Sequence, residues 1–306
     1  LSKVTKNGTA LANDDVVVIS WNDTTNAATS SASFTIGVAA ATFTLDRTSY
    51  PTPRDGAVTA YVTVTDSEAN TNAATIQNSY AYFLVYNYSG SVIASQNVTL
   101  TETGANTGTF TGSYVIAQNT SAEYIGGWLK VLYTDPATAA NISQTVYFSL
   151  TNAAISVNTS SVTPGQAFKI TVTDPDMNFN SKSAESIDVD YSYTDASGTA
   201  QTGTWALTET GADTGIFTAT KSVGTSTFNM KPGSTITIRY NDTTPSFSTG
   251  TGGYGAKQSY TATVSMPSNT GTLSIDKTSY GPGATMKITV VDADLNTDIN
   301  TVQTTT

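Results

Sequence analysis

Hydrophobic and polar positions alternate with a period of two over long stretches of the chain. Phe168, Ile170 and Val172 stand against Lys169, Thr171 and Thr173, and Ile187, Val189, Tyr191 and Tyr193 repeat the pattern a few residues on. Period-two alternation predicts strands with one buried face. Leu207, Phe217, Ile236, Ile238, Tyr240, Tyr260, Ala262 and Val264 continue the apolar face, with turn-forming residues between the runs. That rhythm predicts about seven strands in a stretch of domain length, as in an immunoglobulin-like sandwich.

The pattern is repeated. FTLDRTSYPTPRDGAVTAYVTVTDSEANTN begins at Phe43, ISVNTSSVTPGQAFKITVTDPDMNFN at Ile155 and LSIDKTSYGPGATMKITVVDADLNTD at Leu273. A second block, LTETGANTGTF from Leu100 and LTETGADTGIF from Leu207, follows in the first two copies. A closing hairpin ends each of the first two copies and also stands alone within residues 1–40, and the period is that of a whole domain rather than of a solenoid unit. The expected organisation is a closing hairpin of an incomplete domain over 1–40, Ig-like domains over 41–151 and 152–268, and the opening strands of a further incomplete domain over 269–306. A segment of a longer repeat array is the corresponding expectation.

Composition narrows the function. Thr and Ser number 92 and Asn 21 of 306 residues, whereas charged residues make up 12%, a bias that favours strands and turns over helices. There is no cysteine, so disulfides and thiolate metal sites are excluded. There is no histidine either, which removes the usual general base, and the expectation is a protein that is not an enzyme. A net charge of −10 disfavours nucleic acid and anionic membrane surfaces as partners and makes cations the natural counter-species. No run of apolar residues is long enough to span a membrane as a helix.

The candidate chemistry lies in acidic loops. After the second strand of each copy the same spacing returns: Asp66, Glu68, Asn70, Asn72; then Asp174, Asp176, Asn178, Asn180; then Asp292, Asp294, Asn296, Asp298. Oxygen side chains at alternate positions of an extended loop can coordinate a hard cation such as Ca²⁺. The same residues also suit Asx-turns that bond their own backbone. In an antiparallel meander of strands A to G, the loops after B, D and F share one end. That end therefore collects Asp66, Glu68, Glu102 and Asp135 in the first copy, and Asp174, Asp176, Asn178, Glu209 and Asp242 in the second. Asp292, Asp294 and Asn296 hold the same place in the third. Strand A starts at this end, so the linkers at Thr151 to Ala154 and Pro267 to Gly271 arrive among carboxylates, which a structural Ca²⁺ would neutralise and stiffen.

Other candidates are weaker. Eight Asn-x-Ser/Thr sequons occur, at Asn7, Asn22, Asn87, Asn97, Asn119, Asn141, Asn158 and Asn241. Asn22 and Asn241 return at one point of the closing hairpin, and Asn87, Asn119 and Asn141 fall in expected loops, which makes these five the glycosylation candidates. Tyr80, Tyr82, Tyr86 and Tyr88 share the face opposite Phe83 and Val85, as a sheet cover or contact would. Glu209 and Asp213 form the one recurrent acid pair, but the first copy has Asn106 at the second position, and a turn role explains the glutamates without catalysis.

The words LTETGxxTGxF, TVTDPDxN and VVDADLNTD, with the TSYGPG and SSVTPG turns, resemble repeats of archaeal surface-layer proteins, especially those of ammonia-oxidising archaea. That resemblance implies an extracellular, homo-oligomeric S-layer lattice of tandem Ig-like domains, glycosylated and held by divalent cations. Similar repeats occur in adhesins and extracellular fibres, so an adhesive fibre or adhesin stalk is the alternative, and a non-catalytic module of an extracellular hydrolase is the third reading.

Overall fold

The computed structural model describes residues 5–6, 9–11, 15–35, 37, 39–119, 124–244 and 257–304. Almost all ordered structure is strand, as the Thr-, Val- and Tyr-rich alternating sequence requires. The sequon at Asn7 lies outside the described residues.

Strands β1 (Thr5–Lys6) and β2 (Thr9–Ala10) pair with each other, and β3 (Val16–Asp23) forms a hairpin with β4 (Ala28–Thr35). The next eight strands are β5 (Thr42–Leu45), β6 (Tyr50–Pro51), β7 (Val58–Thr65), β8 (Asn78–Tyr86), β9 (Val92–Glu102), β10 (Thr109–Ile116), β11 (Trp128–Thr134) and β12 (Asn141–Ser149). They bond in the order β5-β7-β10-β9-β8-β11-β12-β6. The β6–β12 pairing is parallel, through Tyr50 with Phe148 and Pro51 with Ser149.

The second set is β13 (Ala154–Val157), β14 (Ala167–Thr173), β15 (Ser186–Thr194), β16 (Ala200–Glu209), β17 (Ile216–Ser222), β18 (Thr235–Asp242) and β19 (Gln258–Ser265). Its order is β13-β14-β17-β16-β15-β18-β19, antiparallel throughout. Read as A to G, this is A-B-E-D-C-F-G, the Ig-like arrangement of two sheets joined through the C–D hairpin. Strands β20 (Thr272–Ile275) and β21 (Ile288–Val291) form a last pair.

Buried and exposed positions follow the alternation. In β14, Phe168, Ile170 and Val172 are fully buried between exposed or half-buried neighbours, and Leu207, Phe217, Ile236, Ile238 and Val264 join them in one core. Phe228 packs edge-on against Trp205 and Tyr193. Area removed from water by this core supplies the main favourable term of folding. In β8, Ala81, Phe83 and Val85 face inward while Tyr80 and Tyr82 are exposed, so the tyrosine face is the outer one.

Compactness divides the chain into two units: one of 1–48, 60–114 and 128–146, the other of 49–59, 115–127 and 147–306. The turn over 49–59 belongs to the second unit because it is bonded there. Thr59 N–H donates to Phe179 O at 2.9 Å, and Arg54 Nη1 donates to Thr243 O at 2.8 Å. Gly56 has no side chain where the Phe179 ring lies, for a Cβ there would come within 2.5–2.9 Å of three ring carbons.

Candidate functional site

The acidic loops after B and F meet the chain entering strand A, and their carboxylates hold that entering backbone. In the first copy Ala39 N–H donates to Glu68 Oε1 at 3.0 Å and Ala41 N–H to Asp135 Oδ2 at 3.5 Å. In the second copy Thr151 N–H donates to Asp176 Oδ2, and Ala153 N–H to Asp242 Oδ2 at 2.9 Å. In the third, Asn269 N–H donates to Asp294 Oδ2 at 2.7 Å. One device serves three linkers: amides that would otherwise be orphaned near a domain end meet a carboxyl acceptor.

Each ladder begins with a cap. Asp66 Oδ1 accepts from the amides of Glu68 and Ala69, Asp174 Oδ1 from Asp176, and Asp292 Oδ1 from Asp294, each at 3.0 Å. Single 3-10 turns, Pro175–Met177 and Ala293–Leu295, start on the latter two caps. The other oxygen of the first Asp takes a tyrosine hydroxyl from strand F: Tyr133 donates to Asp66 Oδ2 at 2.7 Å and Tyr240 to Asp174 Oδ2 at 2.6 Å. Burial raises both hydroxyl pKa values, and the neighbouring aspartates add to it.

The LTETGxxTGxF words are glutamate-capped turns. Glu102 Oε1 accepts from Thr107 and Gly108 amides and Oε2 from Gln77. Glu209 repeats this with Thr214, Gly215 and Glu185. Burial alone would raise these carboxyls, but the donors together outweigh it and hold both below the usual glutamate value. Gly108 and Gly215 both sit at φ 59°, a left-handed conformation that glycine adopts without steric cost. Asp213 accepts from Asn178 Nδ2 at 2.9 Å, the place that Asn106 and Asn70 fill in the first copy. The recurrent Glu–Asp pair is thereby engaged within its own turn and ladder.

The twelve residues expected to face a cation therefore fall into groups. Asp66, Glu68, Glu102, Asp135, Glu209, Asp242 and Asp294 have both carboxylate oxygens facing N–H or O–H donors. Asp174 is likewise engaged on both oxygens. Asn178 spends its amide on Asp213, and Asn296 closes the Ala293 turn through its own N–H. Asp292 caps its turn through Oδ1. Asp176 differs: Oδ1 is buried with no partner. Among the described residues no group of three or more acidic side chains converges so as to hold an ion by itself.

The second copy is also the most strained electrostatically. Asp174 and Asp242 are fully buried and Asp176 nearly so. Burial pushes Asp174 up to about 6 and Asp176 up to about 7, with the neighbouring acids adding to the effect. Burial raises Asp242 as well, and Asp55 acts on it in the same direction. No signal in the acidic ladder pointed to Asp55, which lies in the A–B turn of the preceding copy.

The glycosylation candidates occupy hydrogen-bonded surface positions. Asn22 Oδ1 accepts from Thr29, Asn141 Oδ1 from Thr134 and Asn241 Oδ1 from Ser259, each across a closing hairpin. Asn241 also donates to Asp190. Asn87 Oδ1 organises its turn through Ser89 and Ser91, and Asn119 N–H bonds Pro53 O. No described helix is long and apolar enough to cross a membrane.

Fold and linkers define an all-β chain of Ig-like repeats with acid-capped joints. No family model matches it, and no curated protein does. Among solved structures it is similar to the Escherichia coli adhesin FdeC, at 18% identity and a TM-score of 0.28, over 83% of this chain and 74% of that one. It is similar also to E. coli alpha-2-macroglobulin, at 11% identity and 0.24, over 83% of this chain and 17% of that one. A DUF4785-family protein from Legionella pneumophila matches at 14% identity and 0.23, over 65% of this chain and 50% of that one.

Proposed function

We propose that the chain is a structural, non-catalytic segment of an extracellular array of Ig-like domains, working as a stalk or spacer of a surface-exposed protein. The supporting observation is the linker clamp: the backbone entering β5, β13 and β20 is bonded by carboxylates of the domain it enters. Such joints resist bending, which a spacer needs and an enzyme module does not. The absence of His and Cys and the use of the acid pair Glu209 and Asp213 inside a turn fit the same reading.

A second reading, a homo-oligomeric S-layer lattice, is favoured by the repeat words that resemble archaeal surface-layer proteins. In either assembly Asn22, Asn87, Asn119, Asn141 and Asn241 are the positions offered for glycans. Cryo-tomography with immunogold labelling of source cells separates the outcomes. Label on projecting filaments supports the stalk, label on a periodic sheet supports the lattice, and label confined to the cell interior overturns both.

A further inference from the structure

The three copies are not equal at the A–B turn. Ser49 and Asp66 stand 17 positions apart, whereas Ser161 and Asp174, like Ser279 and Asp292, are 13 apart. The extra residues of the first copy carry Arg54 and Asp55. Arg54 Nη1 bonds Thr243 O, so the insertion is fixed beside the loop that follows β18. Asp55 is close enough there to act electrostatically on both Asp174 and Asp242.

Four side-chain oxygens in this neighbourhood are buried without a hydrogen-bond partner: Asp55 Oδ2, Thr151 Oγ1, Asp176 Oδ1 and Thr244 Oγ1. Asp176 is 2% exposed and Thr244 3%. The linker ties them together, since Thr151 N–H bonds the other oxygen of Asp176, and Thr244 N–H bonds Asp242. A buried carboxylate oxygen facing no donor is costly unless a cation stands opposite it. The equivalent carboxylates elsewhere have no such vacancy in their bonding. Glu68 uses Oε1 on Ala39 and Oε2 on Ser67, and Asp294 uses both oxygens on Ser268 and Asn269.

We propose that the Arg54–Asp55 insertion completes a divalent-cation site at this one linker, in which Asp55, Asp176, Thr151 and Thr244 offer their unpartnered oxygens to a Ca²⁺-class ion. All four donors are oxygens, two of them anionic, which suits a hard cation and not a thiophilic or imidazole-seeking metal. Two carboxylates leave the remaining positions to backbone carbonyls and water, as flexible calcium sites allow. In the first copy Asp66 and Glu68 have both oxygens engaged, and in the third Asp294 does. The inference rests on the linker geometry and holds wherever the protein resides.

The test is calorimetric titration of CaCl₂ into the whole chain, stripped with chelator, at mildly alkaline pH in physiological salt. The expected result is one ion per chain, with a Kd of about 10⁻⁴–10⁻³ M, the range of extracellular calcium modules. Asp55→Asn, which removes no hydrogen bond on Oδ2, weakens binding roughly 10–100-fold. Glu68→Gln in the first copy leaves it unchanged. Thr244→Val, with folding checked by circular dichroism, gives an independent loss if Asp55→Asn proves unstable. Absence of binding, or binding of equal strength in Asp55→Asn and Thr244→Val, overturns the site. Either failure leaves the surface reading standing, because that is decided by labelling on cells.

Discussion

Tyr240 and Asp174, from strand F and the loop after strand B, share a hydrogen bond of 2.6 Å in which both partners are buried. The bond joins the two sheets at the end where the linker enters. Its counterpart, Tyr133 with Asp66, measures 2.7 Å. Tyr240→Phe leaves a buried carboxylate oxygen without a donor, so a loss of about 1.5–3 kcal/mol is expected. Urea denaturation of the whole chain measures it. A change within about 0.5 kcal/mol, as for an ordinary surface substitution, would show that the pair does not hold the sheets together.

Acid weakens the glutamate-capped turns. Glu209 sits below its ordinary 4.5 when folded, so its contribution is present above that value and is lost as pH falls through the folded one. Melting temperature should drop on the acid side, and Glu209→Gln should start lower and drop less. A variant with the same acid slope as wild type rules the turn out as the cause.

Asp174 and Asp176 act with the opposite sign. Their folded values, about 6 and about 7, exceed the ordinary 3.8, so the folded chain holds protons that the unfolded chain has already released. Stability from these two groups is full below about pH 4 and falls as pH rises towards 7. In chelator, the second repeat should melt at lower temperature at about pH 8 than at about pH 5, and Asp176→Asn should flatten that difference. A second repeat equally stable at both would contradict the burial argument.

Gly215 cannot take a side chain without strain. It has φ 59°, and a Cβ would lie 2.8 Å from Pro175 Cα. Gly215→Ala should cost about 2 kcal/mol from left-handed backbone and backbone contact together. Differential scanning calorimetry reads the loss, and an unchanged transition would mean that the turn relaxes freely.

The linker clamp predicts protection from proteases. Asp242→Ala removes the acceptor of Ala153 and Thr244 amides, so cleavage around Thr151–Ala153 should accelerate while the sandwich core stays resistant. Mass spectrometry of timed digests checks it. Equal cleavage of wild type and variant would show that the clamp does not order the linker.

Much of this was legible from sequence. Alternation at Phe168, Ile170 and Val172 marked the core face because burial on one side of a strand leaves that signature directly. Strand parity placed Asp174, Glu209 and Asp242 at one end, since direction in an antiparallel set depends only on strand count. Spacing could not say what the carboxylates bond. Asp242 finds Ala153, 89 positions away, through the folded topology alone. The ladder's spacing suits ligands and Asx-turns alike; Asp66, Asp174 and Asp292 cap turns, while Glu68, Asp176 and Asp294 reach across to the linker. Asp55 is not legible in the sequence, because nothing local distinguishes an acid in a Pro-Arg-Asp-Gly turn from any exposed loop residue.

The unequal A–B turns make the repeats distinguishable to one another. Phe179 occupies the space above Gly56, and Arg54 reaches Thr243, in a match that the shorter turns at Pro164–Gly165 and Pro282–Gly283 have no residues to reproduce. Genes built of near-identical repeats recombine readily, and a shuffled array would keep every sandwich while mispairing this joint. The insertion thus writes a reading order into the chain, so that the first repeat has one proper neighbour and the copies are not exchangeable beads.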